Sequence, residues 1–123
     1  LPGVRAPRAL VHLRTLERPI GNRTAIAYPD YVDWRREVRL LDGMAVYNFA
    51  RFGVRAAAAA PAAAAGATES VWGNFASADY FRVLGAVPQL GRFWRADEAT
   101  TPGSAPVAVV SDRFWRTRLH ADP

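Results

Sequence analysis

The side chains that could carry chemistry are few, and their spacing decides most of the question. Two histidines, His12 and His120, stand at opposite ends of the sequence. Neither has a Cys, His or carboxylate companion at metal-ligand spacing, so no metal site is expected. Asp30 and Asp33 could be imagined as a carboxylate pair for acid–base work. Their place at the start of a helical pattern explains them more simply, because the helix dipole favours carboxylates there. Asp97 and Glu98 are adjacent in a loop, where binding residues gather; ion pairing with Arg92 or Arg95 is the simpler expectation. Ser77, Ser104 and Ser111 lack the Gly-x-Ser-x-Gly surroundings of a nucleophile elbow. No Gly-x-Gly-x-x-Gly or Walker pattern occurs, so nothing points to nucleotide binding. The chain is therefore expected to hold no catalytic residue, no metal and no cofactor.

Composition narrows the class further. The net charge of +5 comes from 16 arginines with no lysine. The arginines are scattered and form no run, which fits a compositional bias better than a nucleic-acid or anionic-membrane surface. The aromatic residues fall at helical or strand periods and read as core, against an aromatic–Arg platform for single-stranded nucleic acid. Half of the residues are hydrophobic, so a folded core is expected. There is no cysteine, hence no disulfide framework and no thiolate chemistry. No apolar run reaches the ~20 residues of a membrane-spanning helix, and no signal peptide is visible. The start at Leu1-Pro2-Gly3 and the stop at Asp122-Pro123 lead to the expectation of a segment of a longer protein.

The elements that would position these residues can be read in order. Residues 1–8 form an extended lead-in. Residues 9–16 predict a first strand, with Ala9, Val11 and Leu13 on one face and His12 and Arg14 on the other. Residues 17–27 predict a loop that turns at Gly21-Asn22. A helix opening at Pro29 and stopping at Gly43 would bury a stripe of Tyr31, Trp34, Val38 and Leu41. Strand character returns over 44–54, but Tyr47 and Phe49 share one parity while Phe52 and Val54 share the other, which predicts a bulge near Ala50-Arg51. Residues 56–67 contain ten alanines broken by Pro61 and Gly66; a mobile surface connection or hairpin tip is expected there.

The densest punctuation lies in 71–92. Val71 and Phe75 alternate with Asn74 as in a strand. Ser77 is predicted to cap a short helix bearing Asp79, Tyr80, Phe81 and Leu84, and Gly85 to end it in the left-handed region. Pro88 and Gly91 keep the next segment irregular. Val107–Val110, an unbroken apolar run after Pro106, predicts a strand buried on both faces. Ser111 should cap a last helix with a hydrophobic staple between Val110 and Trp115, facing Phe114, Trp115 and Leu119 inward. The resulting order, β-α-β-β-α-β-α, predicts an α+β domain with helices packed on a mixed sheet.

Three stretches together carry a resemblance. Tyr28-Pro29-Asp30-Tyr31-Val32-Asp33-Trp34-Arg35 is similar to the S-Y-P-D-Y-x-D-W-R segment of MacB-like periplasmic core domains, found in ABC transporter permeases of the MacB/FtsX type. Asn74 to Gly85, continuing into Pro88 and Leu90-Gly91-Arg92, resembles the V-S-x-N-Y-F-x-V-L-G segment of those domains. Ala105-Pro106-Val107-Ala108-Val109-Val110-Ser111 with Phe114-Trp115 resembles their A-P-V-V-V-L-S-x-x-L-W. Order and spacing agree over about residues 9–123. The sequence departs in three places: Ala27 stands where relatives have a capping Ser or Thr, the segment after Asn74 is longer by a few residues, and the alanine run replaces a polar hairpin.

The resemblance implies that residues 1–123 are the N-terminal part of a porter-like periplasmic core domain, with the alanine-rich connection at 56–67. It implies a bacterial inner-membrane permease whose extracytoplasmic domain transmits nucleotide-driven motion to export or efflux. The implied partners are the permease's own transmembrane helices, an ABC ATPase subunit that hydrolyses ATP elsewhere, and a periplasmic adaptor or the exported substrate. A homodimer of the full-length protein also belongs to that expectation, and nucleic acid does not. The runner-up, from a different class, is a free-standing soluble Arg-rich module that binds an acidic partner.

Overall fold

The computed structural model describes residues 4–17, 22–55, 68–99 and 106–121. Within them the chain combines two antiparallel strand pairs with three helices, an α+β arrangement. A single 3-10 turn at Pro7–Ala9 precedes β1, Thr15–Glu17, which pairs with β2, Asn22–Thr24. The first strand thus begins where the 9–16 pattern ends. Pro7 fixes the backbone angle needed for a tight turn and draws Ala9 out of the extended stretch. The predicted loop over 17–27 contains the returning strand β2; its turn residues 18–21 lie outside the described residues.

Helix α1, Tyr28–Glu37, opens with Pro29 in its first turn and carries Asp30 there, as the dipole favours. Ala27 occupies the cap position and makes no side-chain cap bond. The helix stops at Val38, whose N–H still bonds to the carbonyl of Trp34 at 2.8 Å, and does not extend to Gly43. The buried stripe is correspondingly short. Tyr31 is 4% exposed and is the one buried hydrophobic residue among the described residues, whereas Val38 lies on the surface. The Tyr31 hydroxyl donates to the carbonyl of Met44 at 3.3 Å, which ties the helix to the segment leading into the next strand.

Strands β3, Tyr47–Arg55, and β4, Thr68–Ala76, form an antiparallel hairpin whose nine pairs run without interruption from Tyr47↔Ala76 to Arg55↔Thr68. There is no bulge at Ala50-Arg51. The two parities expected to need one are simply the two faces of a regular strand, both bearing aromatic residues. One face holds Phe52 and Phe75, ring centroids 4.9 Å apart. Gly73 makes room for that arrangement, since a Cβ there would meet the Phe52 ring at 2.9 Å. The alanine-rich stretch that joins β3 to β4 lies outside the described residues.

Helix α2, Tyr80–Leu84, ends on Gly85 at φ 63° in the left-handed region, as the sequence predicts. Residues 85–96 are irregular, and a second 3-10 turn follows at Asp97–Ala99. Val107–Val110 departs from expectation: the run has no strand partner among the described residues and is exposed, with Val107 at 47%. A strand needs a neighbour to satisfy its backbone groups, and apolar character alone does not supply one. Helix α3, Asp112–Arg118, is capped by Ser111, whose Oγ accepts from the N–H of Phe114 at 3.2 Å. Phe114, Trp115 and Leu119 are half-buried. Arg118 reaches Glu69 of β4 at 2.8 Å, linking this helix to the hairpin.

Candidate functional site

Side chains of α1, α2 and the loop after Gly85 meet in one region. It starts from Asp79. Placed at the entry to the short helix predicted from sequence, its carboxylate reaches across elements: Oδ2 receives Arg35 of α1 at 2.6 Å and Oδ1 receives Arg82 Nε at 2.9 Å. One carboxylate, 16% exposed, therefore clamps two guanidiniums from different helices. Charge-assisted bonds of this kind are short and directional, so they tie Arg35 and Arg82 to one point between the two helices.

Ser77 is also placed differently from expectation. Its side chain makes no helix-capping bond; Oγ accepts the N–H of Val46 at 3.1 Å, while the Ser77 N–H donates to the Val46 carbonyl at 2.9 Å. This two-way bond extends the hairpin ladder beyond its last pair, Tyr47↔Ala76. The Ser77 carbonyl accepts from Tyr80 N–H at 3.0 Å and from Trp94 Nε1 at 3.4 Å. Strand, helix and loop thus close on one residue. A capping pattern seen in sequence alone cannot tell which backbone N–H a serine will find, and here the strand partner wins.

Aromatic rings run through the same region. His12 stacks on Tyr47 with centroids 6.0 Å apart, Tyr47 meets Tyr80 edge-on at 5.7 Å, and Tyr80 meets Phe81 at 5.3 Å. Phe81 lies parallel to Phe93 at 4.0 Å and tilts against Trp94 at 4.9 Å. Aromatic pairs add roughly 0.5–1.5 kcal/mol each beyond the area they bury. Burial, with the neighbouring Tyr47, pushes the Tyr80 phenol above its ordinary value of 10.0. His12 is a stacking residue in this chain of rings.

Asp97 and Glu98 pair with the arginines named from sequence. Arg92 grips Glu98 through two parallel bonds, Nη1 to Oε2 at 2.8 Å and Nη2 to Oε1 at 2.7 Å. The backbone N–H of Arg95 adds a third at 2.7 Å, and its Nε reaches Asp97 at 3.3 Å. The Arg92 bonds, then the Arg95 N–H, pull the Glu98 carboxyl down to about 2. A carboxylate held ionised this firmly closes a loop; it is a poor proton donor or acceptor near neutral pH.

The remaining candidates do not converge. Asp30 and Asp33 are exposed along α1, and Ser111 is committed to its cap. His120 sits just past α3 at φ 53°. Ser104 lies outside the described residues. Among the described residues, no group of three or more His, Cys, Asp or Glu side chains is arranged to hold a metal ion, and no helix is long and apolar enough to cross a membrane. The arrangement can hold elements at fixed positions and offer surfaces. Compared with known proteins, the chain matches no family model, no curated protein and no solved structure.

Proposed function

We propose that this chain is the N-terminal part of a MacB-like extracytoplasmic core domain of an ABC transporter permease, which passes nucleotide-driven motion of membrane helices to an exported substrate or a periplasmic partner. The observation that supports this reading is the Arg35–Asp79 bridge at 2.6 Å. It joins the two stretches that carry most of the resemblance, Tyr28–Arg35 and Asn74–Gly85. The third stretch is tied in through α3, where Arg118 meets Glu69 at the start of β4.

Mechanical coupling asks for elements that move together. Two helices joined by ion pairs to one carboxylate, a loop closed by a bidentate Arg–Glu pair and a run of packed rings are devices of that kind. In this reading ATP is hydrolysed by a separate subunit at the inner membrane, and the present residues lie on its extracytoplasmic side. The test is fractionation of the intact protein from its own cells. Retention in the membrane fraction through a high-salt wash, with release only by detergent, is the expected result. A protein that stays soluble after lysis overturns the proposal.

A further inference from the structure

The β3–β4 hairpin has one face that nothing among the described residues covers beyond its Tyr47 end. The unbroken register places Tyr47, Phe49, Arg51 and Arg55 of β3 on the same side as Trp72 of β4. Phe49 is 66% and Trp72 70% exposed. The Arg51 guanidinium lies over the Trp72 ring, 4.8 Å from its centroid, so the indole holds that cation in place. Among the described residues neither Arg51 nor Arg55 has an ion-pair partner. No Asp or Glu occurs on this face of either strand. Each strand pairs only with the other, so among the described residues the outer edge of β3 carries an unpaired row of N–H and C=O groups along nine residues.

These features select an occupant. Two cations with no ion-pair partner among the described residues, on a face of the hairpin that carries no Asp or Glu, favour an anionic partner over a neutral one. The open edge favours a polypeptide over a nucleic acid, because only an extended peptide repeats donors and acceptors at the ~3.3 Å per residue of a strand. We propose that the outer edge of β3 takes up an extended acidic segment of a partner protein as an added strand. Carboxylates at alternate positions on one face of that segment pair with Arg51 and Arg55, and apolar side chains two positions away lie against Phe49. This inference stands on the hairpin alone and is independent of the permease reading.

The probe is a fluorescent peptide of about nine residues, a full strand length, with Glu, Val, Glu and Val at alternate positions and Thr between them. Its binding to the 123-residue chain is followed by anisotropy, beside the same peptide with Lys in place of Glu and an oligothymidylate of matched charge. The expected result is binding of the Glu peptide about tenfold tighter than the Lys peptide, the size of two cross-strand charge pairs, with slowed amide exchange along β3. The R51E/R55E double variant should reverse the preference. Should it fail to fold, R51Q/R55Q should bind the two peptides equally. Equal affinities for the unaltered chain, tighter binding of the oligothymidylate, or β3 amides whose exchange the peptide leaves unchanged would overturn the proposal.

Discussion

Arg35 in α1 and Asp79 at the entry to α2 meet at 2.6 Å, although a loop and both strands of the β3–β4 hairpin separate them along the chain. The same carboxylate holds Arg82, so α1 and α2 share one anchor.

Removing that anchor should loosen both helices together. Both guanidiniums are more than half exposed, which limits the cost to about 1 kcal/mol. Asp79→Ala is expected to lower the urea midpoint accordingly, and Arg35→Ala and Arg82→Ala should each give a smaller loss. If Asp79→Ala alters stability no more than a substitution at exposed Asp33, the carboxylate is not the anchor described.

Ser77→Ala should cost about 1 kcal/mol, the worth of one intramolecular hydrogen bond, because the Val46 N–H loses its acceptor. Faster exchange of the Val46 amide, with little change in α2, identifies the bond responsible. Faster exchange confined to α2 would instead restore the serine to a helix-capping role.

Gly85 and Gly91 separate backbone strain from crowding. Both have positive φ, 63° and 66°. An added Cβ at Gly91 meets open space, whereas one at Gly85 comes within 2.7 Å of Arg5 Cβ. Gly91→Ala should therefore cost about 1 kcal/mol, the left-handed penalty alone. Gly85→Ala should cost clearly more, and equal losses would contradict the packing of the Arg5 segment over α2.

The acid limb of stability should carry the mark of Glu98. Its folded carboxyl titrates at about 2, below the ordinary 4.5. A depressed value means that the contribution is fully present above about 4.5 and is lost as pH falls toward 2. A carboxyl-resonance titration by NMR should place Glu98 there, and Arg92→Gln should move it back toward 4.5. An unchanged titration in that variant would rule out the bidentate pair as the cause.

Local signals were legible where they depend on neighbours in sequence. Pro29 and Asp30 open α1, Gly85 ends α2, Ser111 caps α3, and the Arg92–Glu98 pairing lies within one loop. The misread elements depend on distant partners. Ser77 had a helix to cap in sequence and a strand to bond in space. The two parities of β3 suggested a bulge because a hairpin with aromatic residues on both faces has no single buried side. Val107–Val110 had the composition of a core strand but has no described neighbour to pair with. The Arg82 half of the Asp79 clamp follows from its spacing of three residues, but the Arg35 half could not be found that way, because Arg35 approaches from a different element.

The proposed permease role requires these residues to lie on the extracytoplasmic side of the membrane. These 123 residues contain no cysteine, so Ser70→Cys on the exposed strand β4 adds one reporter, read as the labelling gained over the unsubstituted protein. Expressed in the full-length protein and treated in intact spheroplasts, that cysteine should react with a membrane-impermeant maleimide as fully as it does after lysis. Labelling that appears only after lysis, with the protein folded in both cases, would contradict an extracytoplasmic permease domain.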